Sequence, residues 1–232
     1  MELDGMSKNV KTYEQYEYDL RHQLRIAATQ ESIQYIKKNM YNALCFPHEP
    51  TVLFEYALPK INNNGLILEF GVRKGKTIKE ISKRIKNRIC HGFDSFEGLP
   101  EDWSGQPYPK GAYSESGRIP KLSNNIKIHK GWFHETLPTF LKQHKEMIDF
   151  IHFDCDLYSS TKTILDLVGN RITKNTILVF DEYMNYPTWE RHEFKAFQEF
   201  VKKKNISYEY LAFTSKSAVC IKIKNIKSTK PK

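Results

Sequence analysis

The sequence predicts an α/β fold: a doubly wound, mostly parallel sheet of seven strands, closed by an antiparallel C-terminal hairpin and preceded by a helical extension. Three observations predict it. From residue 66 to about residue 204, short apolar runs alternate with amphipathic stretches, the pattern of strands joined by crossover helices. The chain has 232 residues, 40% of them hydrophobic, which suits one α/β unit of roughly 200 to 250 residues. The apolar runs end in glycines and carboxylates, where doubly wound sheets carry their ligand sites.

Tyr13 to Tyr41 is polar with apolar residues at broadly helical spacing (Leu20, Leu24, Ile26, Ile33, Ile36), and Pro47 and Pro50 punctuate its end. Strands are expected at Leu66 to Phe70, Ile89 to Phe93, Ile126 to His129, Ile148 to Phe153 and Thr176 to Phe180. Between and after them, Thr77 to Lys86, Trp132 to His144, Ser159 to Val168 and Trp189 to Lys203 each carry charge on one face and Ile, Leu, Phe or Val on the other. Ser207 to Phe213 and Ala218 to Ile223, joined by a Thr-Ser-Lys-Ser turn, form the hairpin. One long connection, residues 97 to 120, is rich in glycine and proline, and long loops in compact domains tend to be functional. The expected division is residues 1–60 as an extension serving as lid or dimerisation arm, 61–225 as the enzyme domain, and 226–232 as a basic disordered tail.

Composition excludes several classes. The formal charge is +9, yet Lys202 to Lys232 holds nine lysines against one acid, Glu209, so nearly all the excess lies in the C-terminal ribbon. A nucleic-acid binder needs its positive charge across a folded face, which argues against nucleic acid as the partner. No apolar run reaches the ~20 residues of a membrane span, and Met1 to Leu20 lacks the apolar stretch of a signal peptide, so a cytoplasmic location is expected. Cys45, Cys90, Cys155 and Cys220 are too scattered for a zinc ribbon or a disulfide framework.

The chemistry concentrates after the strands. Glu69-Phe70-Gly71-Val72-Arg73-Lys74-Gly75-Lys76-Thr77 ends a strand with an acid, turns on two glycines and opens a helix, a local form suited to close backbone approach to a ligand. The same stretch nearly spells a phosphate loop, with Asp181-Glu182 in the place of its magnesium-binding acid. Three residues separate Gly71 from Gly75, however, where that loop needs four, and a nest short of one N–H changes its radius. After the second strand, Asp94 stands 23 residues beyond Gly71, where nucleotide folds place a ribose-binding carboxylate, and Phe96 could stack on a purine. Alternatively Asp94 caps the next segment and Phe96 is core. Gly131 and Trp132, after the third strand, could wall an adenine or staple the following helix. The last two parallel strands deliver Asp154, Asp156, Asp181 and Glu182. So much negative charge in one cleft calls for a cation, and an all-oxygen set suits Mg²⁺, Mn²⁺ or Ca²⁺. Asp156 could instead cap a helix and Glu182 pair with a base. His152, two residues before Asp154 and deeper in the strand, reads as a satisfied core histidine.

These strings together resemble the Rossmann-like class I S-adenosylmethionine-dependent methyltransferases, in particular the metal-dependent macrocin and noviose O-methyltransferase (TylF-like) family. The resemblance covers roughly residues 64 to 204. It rests on Glu69-Phe70-Gly71-Val72-x-x-Gly75, on the highly specific Phe93-Asp94-Ser95-Phe96-Glu97-Gly98-Leu99-Pro100, on Asp154-x-Asp156-Leu157-Tyr158-x-Ser160-Thr161 and on Asp181-Glu182. The family carries Asp-Asp at the last pair, so Glu182 departs by one methylene. The resemblance implies that Glu69, Gly71, Gly75 and, more weakly, Arg73 and Thr77 shape the methionine pocket. Asp94 would hold the ribose, Ser95 and Phe96 would border the adenine, and Gly131, Trp132 and Asp154 would complete the cofactor site. Asp154, Asp181 and Glu182 would hold Mg²⁺ or another hard divalent cation, Asp156 would be the catalytic base, and Asp154 would act beside it. The implied acceptor is a small molecule or glycan with a sugar-like vicinal diol, and the family's pairing through N-terminal helices admits a homodimer. A nucleotide kinase or NTPase and a basic nucleic-acid-binding module are the alternative functions.

Overall fold

The computed structural model describes residues 18–47, 51–62, 64–85 and 87–226. The part of the predicted extension before residue 18 and the basic tail from residue 227 lie outside the described residues. The chain runs α1 (Leu20–Asn39), β1 (Leu44–Phe46), α2 (Thr51–Ala57), β2 (Leu66–Phe70), α3 (Lys76–Arg84), β3 (Cys90–Asp94), β4 (Ile126–Lys130), α4 (Phe133–Gln143), β5 (Ile148–Phe153), α5 (Tyr158–Val168), β6 (Ile172–Phe180), α6 (Glu193–Lys204), β7 (Ile206–Thr214) and β8 (Val219–Ile226).

The strands form one sheet of eight in the order β1-β7-β8-β6-β5-β2-β3-β4. Every pairing is parallel except those made by β8, which runs antiparallel between β6 and β7. The expected Rossmann-like architecture and its terminal hairpin are present, with one strand more than the seven expected. The added strand is β1, whose three residues pair with Ala212 to Thr214 of β7. Its sequence, Leu-Cys-Phe, is too short to carry a periodic signal, and pairing with an edge strand supplies what propensity does not.

The central strands are buried on both faces, as a parallel sheet requires: every residue of β2 and β5 is buried. Successive side chains point to opposite faces, so Leu178 and Phe180 enter the core under α4, α5 and α6, while Ile177 and Val179 enter the core under α2 and α3. A bulge at Asp149 interrupts the alternation in β5. The bulge turns its carboxylate toward Gly65 N–H at 2.7 Å and the Arg88 guanidinium at 2.7 Å, and Arg88 also donates to the Gly65 carbonyl. This ties the start of β2 to β5 at the end of the sheet opposite the carboxylate-bearing loops.

The helix ends follow from local chemistry. Asp19 caps α1, its carboxylate accepting from the N–H groups of Arg21 and His22. Asn205 ends α6 in the left-handed conformation, after three lysines that suit the negative end of the helix dipole. The predicted helix from Trp189 to Lys203 begins as a short 3₁₀ turn, Trp189–Arg191, and becomes α-helical only at Glu193. No helix among the described residues is long and apolar enough to cross a membrane.

Removing one partner of a buried ion pair strands the other charge, at a cost of about 3 kcal/mol or more. Asp149→Ala is therefore expected to lower the unfolding free energy in urea by about 3 kcal/mol, and Arg88→Ala to be markedly less than additive with it.

Candidate active site

The strand order reverses between β2 and β5, and a cleft of about 680 Å³ opens there, beyond the carboxyl ends of the parallel strands. That volume is in the range of small-molecule sites, roughly 300 to 1,000 Å³. Two loops meet at its floor. Gly71 N–H donates to the Phe93 carbonyl at 3.0 Å, and Asp154 N–H donates to the Phe70 carbonyl at 2.8 Å. Gly71 sits at φ +93°, and a β-carbon there would lie 1.7 Å from the Asp154 carbonyl oxygen. Only glycine allows that crossing.

On the β2–β3–β4 side the wall is made by Gly71, Arg73, Asp94, Ser95, Gly131, Trp132 and Phe133. The Asp94 carboxylate holds the loop in shape: one oxygen accepts from Val72 N–H (2.8 Å) and Arg73 N–H (2.7 Å), the other from Phe96 N–H (2.6 Å). A carboxylate has about four acceptor positions, so room remains for a ligand hydroxyl. Arg73 has a positive φ, reaches Glu115 at 3.4 Å and lies over the Tyr113 ring at 4.7 Å, which joins this loop to the long connection.

Four of the expected cofactor residues lie beneath the wall. Glu69 is fully buried; its carboxylate accepts from the Thr77 hydroxyl at 3.2 Å and meets His152 Nδ1 at 3.0 Å. Burial pushes the Glu69 carboxyl up, and His152 pulls it back. Phe96 is 1% exposed and belongs to the core under α2 and α3. Gly75 packs toward Leu122 and Pro120. His152 is buried as expected, but only half satisfied: its Nε2 has no hydrogen-bond partner among the described residues.

On the β5–β6 side the wall is acidic. One oxygen each of Asp154, Asp156 and Glu182 lie within 4.8 Å of one another. The expected metal set was Asp154, Asp181 and Glu182; the residue brought into the tight group is Asp156, while Asp181 lines the same cleft. Burial raises the carboxyls of Asp154 and Glu182 well above the usual range, with the Asp181 charge adding to it. Asp156 is lifted to about 7 by burial and by Asp181, against the pull of Arg73. Asp156 also has φ +63°, an uncommon backbone state for a residue with a side chain. One Glu182 oxygen is buried without a partner among the described residues. An orphaned oxygen in an all-carboxylate group fits a hard divalent cation.

A residue that motif reasoning passed over supports this wall. Glu193, at the start of α6, is fully buried, accepts the Glu182 N–H at 3.3 Å and faces the Cys155 thiol at 3.9 Å. Its only sequence signal was a charge on the apolar side of a helix. The long connection is the third wall. Trp103 packs with Leu99, Leu157, Tyr108 and Tyr186, and the loop is stitched to the segment after β6 by Gln106 to Pro187 (3.1 Å), Thr188 to Ser104 (2.8 Å) and His192 to Ser104 (3.0 Å).

The helix α1 closes one end. Its Thr29 donates to the Asn185 side chain at 2.8 Å, Ser32 accepts from Asn185 N–H at 2.9 Å, and the hydroxyls of Tyr35 and Tyr210 pair at 2.6 Å. Arg25 and Thr29 line the cleft. Weak amphipathic spacing concealed this, because only Ala28 and Ser32 of the helix are buried.

No curated protein matches the chain by sequence. Among solved structures, CalS11, a calicheamicin methyltransferase, superposes with a TM-score of 0.60 at 20% identity, covering 74% of this chain and 76% of that one. An apo structure of CalS11, a TDP-rhamnose 3′-O-methyltransferase, gives 0.55 at 23% identity over 74% and 78%. The O-methyltransferase NovP gives 0.58 at 19% identity over 75% and 79%. These likenesses establish a common fold. A family model described as "Methyltransferase domain" matches residues 68–183, half of the chain, and spans the glycine loop, Asp94 and the acidic strand ends. The chain belongs to the methyltransferase domain family.

Proposed function

We propose that the protein is an S-adenosylmethionine-dependent O-methyltransferase of the TylF-like kind, using a divalent cation, with Mg²⁺ the first choice, to methylate a hydroxyl of a sugar or glycoconjugate. The observation that carries this is the cleft itself: a glycine loop pinned by Asp94 faces a group of carboxylates across the switch point of the sheet. The resemblance of Phe93 to Pro100 to the family's most specific string supports the same reading, as does the TDP-rhamnose named for CalS11.

S-adenosylmethionine supplies, when bound, a methyl group already activated on a sulfonium. The task left to the chain is to align an acceptor oxygen for in-line displacement and to ease the loss of its proton. Gly71 and Asp94, with Gly131 and Trp132, hold the cofactor side; Glu69 and Thr77 support the loop from beneath. Asp154 and Glu182 would hold the cation, with Asp181 completing the acidic wall. When bound, the cation would supply Lewis acidity that eases loss of the acceptor hydroxyl's proton. Asp156, whose carboxylate lies within 4.8 Å of both ligands, takes the proton. Of the two roles expected for the extension, the lid is favoured, since α1 bonds to Asn185 and contributes Arg25 and Thr29 to the cleft.

Calorimetry with S-adenosylhomocysteine is expected to show saturable binding, and none at millimolar ligand would overturn the proposal. Gly71→Ala is expected to abolish that binding, because the added carbon meets backbone rather than a movable side chain. EDTA is expected to stop turnover while S-adenosylhomocysteine still binds; full activity in chelator would remove the metal role. Asp156→Asn is expected to lower kcat by about 10²-fold or more with Mn²⁺ affinity retained. A loss of Mn²⁺ binding would make Asp156 a ligand rather than the base.

A further inference from the structure

The cleft is acidic where β5 and β6 end, yet two cations stand on its wall beyond that point. Arg25 comes from α1, and Lys216 from the turn between β7 and β8. Both are exposed to solvent, and neither has a carboxylate partner among the described residues. Their two segments are joined through Asn185, which accepts from Thr29 Oγ1 at 2.8 Å and donates to the Lys216 carbonyl at 2.7 Å. The helix that carries Arg25 and the turn that carries Lys216 are thus fixed to the same segment, and both residues line the one cleft.

Sheet order decides which ligand they face. The cofactor wall belongs to β2, β3 and β4, on one side of the switch point. Asn185 follows β6, and Lys216 joins β7 to β8, on the other side. The carboxylates of Asp154, Asp156 and Glu182 lie between. A ligand portion reaching Arg25 and Lys216 is therefore on the acceptor's side of the acidic group. An arginine offers a forked donor and a lysine a point charge, which together with the Ser217 and Asn185 positions on the same wall suit an oxyanion.

We propose that Arg25 and Lys216 form a subsite for an anionic group carried by the acceptor, a phosphate or a carboxylate, so that the substrate is a charged glycoside such as a glycosyl phosphate rather than a neutral sugar. This rests on the methyltransferase reading of the cleft. Fixing the anion at the far end sets the distance from charge to reacting hydroxyl, and thereby selects which hydroxyl meets the acidic group.

The experiment is calorimetry on the full chain saturated with S-adenosylhomocysteine, in EDTA so that no metal bridges the anion. Thymidine diphosphate, inorganic phosphate and glucuronate serve as probes. The expected result is saturable binding of at least one probe, weakened about 10-fold or more by Arg25→Ala and by Lys216→Ala, while S-adenosylhomocysteine affinity is unchanged. Preference for thymidine diphosphate or for glucuronate assigns the anion as phosphate or carboxylate. Equal probe binding by the wild type and the Arg25→Ala/Lys216→Ala variant, or no probe binding at all, would overturn the subsite. Failure of S-adenosylhomocysteine to bind the wild type would instead strike the cofactor reading, so the two failures are separable.

Discussion

The crossing of two backbones at the switch point governs the rest of the site. Parallel pairing of β2 with both β3 and β5 brings Gly71 and Asp154 together, and the hydrogen bonds from Gly71 N–H and Asp154 N–H set their spacing. Because a β-carbon at Gly71 has no space, the contact also fixes how near the glycine-loop wall comes to the acidic wall. A methyl transfer needs donor and acceptor brought into line at close range, so the distance between these walls is the quantity the fold must control. The Asp149 bulge and its bond to Arg88 secure the same two strands at the opposite end.

Charge is distributed around that crossing in layers. Glu69 and His152 pair in the dry interior and support the glycine loop from beneath. Asp154, Asp156, Asp181 and Glu182 gather on the acidic wall, with Arg73 drawing Asp156 back toward ionisation. Glu193 closes the layer behind them by holding the Glu182 backbone. Crowded carboxylates of this kind raise one another's pKa, a cost that a bound cation offsets. The helix α1 and the long connection then cover the cleft from two sides, each anchored to the segment that follows β6.

Much of this was legible in advance, for reasons that vary by residue. The five parallel strands and the hairpin could be read because burial on both faces demands continuous apolar runs. Gly71, Asp94, Asp154 and Glu182 could be read because each sits in a short string whose spacing is set by a single turn. Glu69, Thr77, Gly75 and Phe96 belong to the same strings, but motif membership does not say which side of a loop a side chain takes. The structure lays them under the wall. Asp94 was expected to serve a ligand, and the structure adds three backbone N–H groups that it must hold first. Arg25, Lys216 and Glu193 left almost no local signal, because their surroundings are assembled from segments more than a hundred residues apart, or from a helix whose own spacing is ordinary.

The +9 charge shows the same division. Sequence alone determined that nearly all of the excess lies from residue 202 onward, and that the core of the chain is close to neutral, since both follow from counting. It likewise determined the fold class and the order of the acidic strand ends, because periodicity and chain order are one-dimensional properties. Which carboxylates share a site was decided only by the tertiary structure. Asp156 joins Asp154 and Glu182 through a backbone turn at positive φ, and α1 and the β7–β8 turn are tied together beside the cleft through Asn185. The carboxylate group and the segments tied through Asn185 depend on angles and packing between distant parts of the chain, and a linear pattern carries no measure of either.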